Sequence, residues 1–555
     1  MEKVKKKYEM DMCNGNLFLK IIKFSIPLSL MGMLQLFYNA ADLIVVSNFS
    51  DDAEALGAVG STNSIINLLV NLFIGLSVGT NVVVARYFGA KKHDKISEVV
   101  HTSILISFIV GIILGLFGFI FSKQLLLLMN NDLELSNLYL KIYFIGMPFN
   151  MVYNFAASIL RAVGDTKRPL YYLTVSGIAN IVLNLILVIV FDLSVAGVAI
   201  ATIMSQVISC ILIIRALCRS NECYKLDFKK LRITKSALIE VTKIGLPAGI
   251  QSSIFSISNV LIQSSINKFG PIVMNGNSAA SSVEGFVYTA MNSVYHASLA
   301  FMGQNVGAKK TKNIRKVTWY SLIIVTLISA SLGGILFLTG RHVLKIYTDS
   351  ALEIDVAFIR LHYLCLPYFL CGIMDVMVGC LRGLGYSTVP MFVSIIGICG
   401  FRIVWILGIF YKYTDFQNIN DLHLLYVSYP ISWIVTFIVH FICYIFVSRS
   451  GPGCGSLYRL RRGQHQSGLL RRGSVYDRRR RRLCPCQRLP DLCLRRRQLC
   501  GQLQLPGEKS HQRHSLCHHR LHPGHRRGIR SDVRNRSRCS PGFRRCQSAP
   551  VCGCR

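Results

Sequence analysis

Residues 26–47 read IPLSLMGMLQLFYNAADLIVVS. A helix of that length crosses a bilayer, since about 20 residues span a ~30 Å hydrocarbon core. The stretch is apolar except for a few residues. Gln35, Asn39 and Asp42 stand at i, i+4 and i+7, so a helix puts them on one face. A charge at mid-membrane costs roughly 2.5–3.5 kcal/mol on insertion scales. The cost is tolerable where Asp42 faces a wet cavity and takes up a cation or a proton. The plainer alternative is a carboxylate near the helix end that reaches the outer headgroups.

The rest of the chain agrees with a membrane setting. It has 555 residues, 52% of them hydrophobic, with a mean hydropathy of +0.43, too apolar for a soluble protein of this length. Twelve apolar segments are expected, at 17–47, 54–83, 97–121, 135–160, 169–191, 194–216, 238–267, 277–302, 317–338, 354–381, 389–411 and 423–447. The lysine-rich start leads into a first run too long for the core of a signal peptide, so no cleaved leader is expected. Lys and Arg concentrate at 86–95, 161–168, 215–243, 309–316 and 382, all on one side if twelve is right. The opposite loops are poorer, the weakest case being 339–353, with Arg341 and Lys345. The positive-inside rule then places both ends of the membrane domain in the cytoplasm.

The chain repeats itself at about 220 residues. Lys23-x-x-Ile26-Pro27 returns as Lys243-x-x-Leu246-Pro247, and Gly89-Ala90-Lys91-Lys92 returns as Gly307-Ala308-Lys309-Lys310. Leu160-Arg161-x-x-Gly164-x4-Pro169 returns as Leu381-Arg382-x-x-Gly385-x4-Pro390. The fold class expected is all-α and polytopic, with twelve transmembrane helices in two six-helix lobes related by a parallel repeat. The lobes are 1–216 and 238–447, the linker 217–237. A cleft between such halves is the usual place for alternating access.

Buried acids break the symmetry. Asp42 aligns with Ile262, Asp375 with Asn154, and Glu284 with Ile66. In the first half, Asn180, Asn184 and Thr202 join Asp42. Carboxylate, amide and hydroxyl oxygens are hard ligands that suit an alkali cation. A protonatable Asp serves a proton equally well, and the amides could instead bond between helices. In the second half, Glu284 and Asp375 lie too deep to snorkel. Arg402 is a buried cation and a candidate ion-pair partner for Asp375. His296 and His440 read as packed neutral histidines. Cys210, Cys365, Cys371, Cys380, Cys399 and Cys443 lie in apolar runs and behave as small hydrophobes. No P-loop, GxSxG or HExxH occurs, so the chain is not read as an enzyme and needs no cofactor. Without a nucleotide site, transport runs on an ion gradient or downhill.

These residues carry a resemblance. Ile26-Pro27-Leu28, Leu34-Gln35, Tyr38-Asn39 and Asp42, the two Gly-Ala-Lys turns, the two Leu-Arg-x-x-Gly blocks and Gly303-Gln304-Asn305-Val306-Gly307-Ala308 together resemble the MATE (multidrug and toxic compound extrusion) family over residues 10–447. The resemblance implies a bacterial inner-membrane antiporter that exports small, often cationic organic compounds against Na⁺ or H⁺. It maps a cation site onto Asp42, Asn180, Asn184 and Thr202. Some family members have Asp where Asn184 stands, which leaves the ion open. The family's helix-ten acid maps onto Asp375; Glu284, Gln35, Tyr38 and Asn39 are further candidates for substrate or proton contact. No metal beyond Na⁺ is implied. The expected partners are small-molecule substrates and lipid, with no nucleic acid, and the expected state is a monomer. A flippase of related fold would instead need a wide basic cavity for anionic substrates. A membrane enzyme would cluster its polar residues at one membrane face.

Residues 448–555 differ in kind. From 451 on, Arg supplies 25 residues and Lys one, against 4 acids, and ten of the 19 cysteines fall there. Such a segment buries too little apolar surface to fold alone. It reads best as an out-of-frame or mis-joined translation of G·C-rich DNA. The alternatives are an arginine-rich tail for nucleic acid or anionic lipid, and a metal segment built on Cys484, Cys486, Cys517, His518 and His519, whose spacing fits no familiar zinc pattern.

Overall fold

A computed structural model describes residues 8–49, 55–127 and 134–449. The tail and the lysine cluster before Tyr8 lie outside the described residues. In a bilayer every backbone amide must be satisfied inside the protein, so apolar segments of this length become helices. Among the described residues all regular structure is helical.

Twelve spans follow one another: α1 (Leu17–Phe49), α2 (Ala55–Gly89), α3 (His93–Leu127), α4 (Glu134–Ile145 and Met147–Ala162), α5 (Lys167–Leu185, continued by Ile186–Val190) and α6 (Ser194–Cys218). After a connection holding a short 3₁₀ turn come α7 (Lys235–Asn267), α8 (Pro271–Gly307), α9 (Thr311–Leu344), α10 (Ala351–Cys365 and Tyr368–Gly383), α11 (Thr388–Ser394 through Tyr411–Tyr413) and α12 (Leu422–Tyr426 and Ser428–Arg449). Several helices outrun the apolar segments: α9 spans 311–344 where hydropathy marks 317–338. Hydropathy marks the hydrocarbon layer, and the helices continue into the headgroup zone. Nine of the described helices are apolar enough to cross a membrane, and the two arms of α10, bent by 46°, form a tenth span. The two exceptions are α4, which is broken, and α8, which is rich in Ala, Ser, Gly and Asn. The α8 helix packs against α1, α2, α9 and both arms of α10, so it has little need of lipid-facing bulk.

The repeat is written in the backbone. Gly164 and Gly385 adopt φ of 99° and 92°, a region that glycine occupies without a Cβ clash. Lys91 and Lys309 both sit at φ 56°. The Lys92 N–H donates to the Tyr87 carbonyl, and the Lys310 N–H to that of Asn305, closing α2 and α8 with the same Schellman turn. Span four breaks after Gly146 and span ten at Pro367. The wide π-helical turns Ile186–Val190 and Ile406–Phe410 also correspond.

The lobes meet chiefly along α2 and α7. Gly75-x3-Gly79 on α2 faces Gly245-x3-Gly249 on α7. A Cβ on any of the four would strike the opposite backbone. Small residues at four-residue spacing let helix backbones approach closely where no hydrophobic effect drives them together. Nearer the basic loops, Gln304 on α8 donates across the interface to the Ala162 carbonyl at 2.8 Å. The Arg86 guanidinium reaches the Gly385 turn from the other side.

Candidate functional site

Asp42 lies two turns before the end of α1 and turns into the first lobe, where it is 9% exposed. Asn184 on α5 donates from Nδ2 to Asp42 Oδ1 at 2.5 Å. Asn180, one turn earlier on α5, and Thr202 on α6 face the same carboxylate. The four residues named from the sequence therefore come together, in the half of the membrane away from the basic loops. Three of their oxygens, Asn180 Oδ1, Asn184 Oδ1 and Thr202 Oγ1, are buried without a hydrogen-bond partner. Buried oxygens normally find a donor, and those left unmatched require an explanation such as an ion. These three oxygens with the Asp42 carboxylate form a set of hard ligands that suits a small alkali cation.

Sequence reading missed the wall of this site. Tyr139 and Tyr143, one turn apart on α4, stack with ring centroids 6.2 Å apart and flank the carboxylate. Gln206 on α6 approaches Tyr143 and leaves its Oε1 buried and unpartnered. The Tyr–Tyr spacing in an otherwise apolar segment was the available signal.

Gln35 and Asn39 share the stripe only in part, for both are exposed while Asp42 is buried. The Tyr38 ring packs over Gly177 of α5, and its hydroxyl is buried without a partner.

The second lobe departs from expectation. Glu284 on α8, expected as an open acid, is ion-paired. Arg360 on α10 reaches it with Nη2 to Oε1 at 2.5 Å and Nε to Oε2 at 3.1 Å. Arg360 Nη1 donates to Asn277 Oδ1 at 2.5 Å, and the Tyr426 hydroxyl donates to the same oxygen at 3.0 Å. Both charges are under 10% exposed. A bidentate fork of this type answers the carboxylate fully.

The expected Asp375–Arg402 pair is absent among the described residues. Asp375 is half-buried and makes no hydrogen bond there; Arg382 is the charged group that bears on it. Arg402 instead donates Nε to Ser432 Oγ at 3.2 Å and lies 3.9 Å from the Tyr429 ring centroid. Hydropathy places both residues deep but cannot fix how two helices are rotated, least of all when one contains π turns. Arg382 is held by Tyr295 and Gln251, at 2.6 and 2.8 Å. His440 is fully buried against Ser394 Oγ at 3.0 Å.

Two six-helix lobes, a pseudo-symmetric interface and a buried acid among unmatched oxygens are the architecture of a polytopic membrane transporter. The family model described as MatE matches residues 27–186 and again 247–406, once per lobe. The chain belongs to the MATE family. It is 26% identical over 436 residues to the probable multidrug resistance protein YoeA of Bacillus subtilis (strain 168), covering 76% of this chain and 92% of that one. It is 23% identical over 376 residues to the multidrug export protein MepA of Staphylococcus saprophyticus, covering 67% and 82%. In fold it matches an outward-facing MATE transporter of the MOP superfamily, with a TM-score of 0.74 at 22% identity over 81% of this chain and 99% of the other. It also matches a Pyrococcus furiosus MOP-superfamily transporter, described as having a binding pocket of reverse polarity, with a TM-score of 0.73 at 22% identity over 80% and 99%.

Proposed function

We propose that the protein is an ion-coupled antiporter that exports small amphipathic, chiefly cationic organic compounds across a bacterial cytoplasmic membrane. The observation that carries this reading is the Asp42 carboxylate set among the unmatched oxygens of Asn180, Asn184 and Thr202. A Na⁺ there would take its ligands from those four residues. A proton would sit on Asp42 and release Asn184. Either event changes the charge of a site between α1, α5 and α6. That change can bias the first lobe between two arrangements. Asp375 in the second lobe supplies an unpaired negative charge for a cationic substrate. The names carried by relatives, multidrug resistance and multidrug export, support a broad substrate range. The basic loops support a topology with both ends of the membrane domain in the cytoplasm. A flippase reading is weaker, because the first-lobe site is acidic and amide-lined rather than basic.

The test is efflux from proteoliposomes with Na⁺ and H⁺ gradients imposed separately. One gradient is expected to drive export and the other not. Equal transport with no gradient would refute coupling.

A further inference from the structure

The two Leu-Arg-x-x-Gly blocks carry cations that the site above does not use. Arg161 lies in the last turn of α4 in the first lobe, and Arg382 in the last turn of α10 in the second. Among the described residues neither has a carboxylate within ion-pair distance. Arg382 spends Nη1 on Tyr295 and Nη2 on Gln251, and its Nε is buried without a partner. The Nε of Arg161 is likewise buried and unmatched, and so are Nε and Nη2 of Arg86 on α2. Every buried, unmatched guanidinium nitrogen among the described residues belongs to one of these three arginines. Buried donors normally find an acceptor, and a buried cation without a counter-ion is costly.

The three come from both lobes and converge on α8. Gln304 of α8 donates to the carbonyl of Ala162, the residue after Arg161. Across α8, a Cβ on Gly383, the residue after Arg382, would strike Met302, and Arg382 itself reaches the Tyr295 hydroxyl. Arg86 Nη2 lies against the Gly385 turn. The α4, α8 and α10 helices all run toward the basic loops, and helix side chains lean toward their own N-terminus. Both arginines therefore lean back from those loops, toward the level of His296. His296 stands about a quarter turn round α8 from Gln304 and from Tyr295, between the faces that meet α4 and α10. It is half-buried, makes no hydrogen bond among the described residues, and both guanidiniums bear on its ring.

Few acids offset this cluster. Asp375, about two turns before Arg382 on α10, bears on that guanidinium. Glu240 of α7 bears on Arg86 but accepts the Tyr87 hydroxyl at 2.8 and 2.9 Å. Asp165 is taken up by Arg168. Arg161 has only the Tyr153 phenol beside it, and His440 of α12 adds no negative charge near Arg382. We propose that Arg161 and Arg382 together hold one small inorganic anion, of chloride size, between the lobes beside His296. Its ligands are the unmatched Nε–H groups and an imidazole N–H, charge-assisted donors that suit an anion. The anion neutralises two like charges and ties the lobes together on the side of the basic loops. Each lobe supplies half of the site, so the site is complete only while that side is closed, and the repeat keeps an arginine in both halves. The inference does not depend on which compound is exported.

The test is binding of radioactive chloride to the full chain in phosphatidylcholine nanodiscs, read by scintillation proximity with gluconate as the balancing anion. The wild type is expected to bind chloride saturably, with a single site per chain. Arg161→Gln and Arg382→Gln should each weaken binding roughly tenfold or more, the scale of one charge-assisted hydrogen bond. Lys309→Gln, on the neighbouring basic turn, should leave it unchanged. Asp375→Asn removes the acid that bears on Arg382 and should tighten binding several-fold. A wild type without saturable binding overturns the proposal before any variant is made. Binding that survives both Gln variants overturns it as well. Loss in only one of them would place the anion within a single lobe, and loss in Lys309→Gln would place it on the surface; either result refutes the bridge. Where a Gln variant does not fold, Asp375→Asn decides the point, since unchanged or weaker binding there would remove the anion from Arg382.

Discussion

The Glu284–Arg360 pair should hold the second lobe together rather than carry substrate or protons. Both side chains are buried, the fork is bidentate, and Asn277 and Tyr426 complete it. Breaking a buried pair leaves one charge uncompensated and costs about 3–5 kcal/mol. Arg360→Met strands the Glu284 carboxylate and should show the full loss, roughly two to three and a half powers of ten in the folding equilibrium. Glu284→Gln keeps a neutral acceptor for Arg360 and should cost less, about 1.5–3 kcal/mol. The double variant Glu284→Met with Arg360→Met removes both charges and should recover most of the loss. The assay is SDS-driven unfolding of lipid-reconstituted protein followed by tryptophan fluorescence, read as a double-mutant cycle. Transport per folded molecule should survive in the double variant. Full stability in Glu284→Gln together with abolished transport would refute the reasoning and restore Glu284 as a functional acid.

Asp42→Asn should fold and insert normally but lose gradient-driven efflux; normal drug resistance in cells expressing it would contradict the cation-site reading. Gly79→Leu places a side chain where the Val241 carbonyl and Gly245 backbone already lie. It should prevent the lobes from closing, with Gly79→Ala milder; distances between spin labels on α2 and α7 would report this, and unchanged distances would count against the contact. A chain ending at Arg449 should transport as well per inserted molecule as the full chain, because α12 completes the second repeat. A large drop in efflux at equal membrane abundance would make the basic tail a working element.

Most of the fold was legible because a membrane translates backbone needs into residue types. An apolar span must be a helix, so segment boundaries follow from hydropathy. The Gly164 and Gly385 turns need positive φ, so glycine recurs there and betrays the repeat. Asp42, Asn180, Asn184 and Thr202 were legible for a related reason. A polar residue within an apolar span must find company, and four of them in one lobe had few other places to go. Arg360 was passed over because one arginine near the end of an apolar segment looks the same as one that snorkels. The four glycines between the lobes were missed because each Gly-x3-Gly reads as ordinary apolar sequence. Their meaning comes from a partner about 170 residues away.

The symmetric and asymmetric parts of the chain also answer to different demands. Broken fourth spans, π turns and Schellman turns recur in both halves, and all are devices of the backbone. In the proposed transport cycle, two lobes that rock against each other about a shared interface need similar frames. The intramembrane acids and Arg402 do not recur. Asp42 with its amides has no counterpart at Ile262, and Arg402 stands where the first lobe has Val182. If both lobes bound the same species, selection on the repeat would tend to keep both sites alike. Their divergence fits a division of labour, with a small cation or proton in the first lobe and an organic molecule in the second. Coupling then requires the two sites to communicate through the interface, and a close backbone contact there is the glycine seam between α2 and α7. A substitution in that seam should therefore uncouple the ion from the substrate before it abolishes the binding of either. Separate binding and transport measurements on Gly79→Ala would decide the point: equal losses in both would place the communication elsewhere.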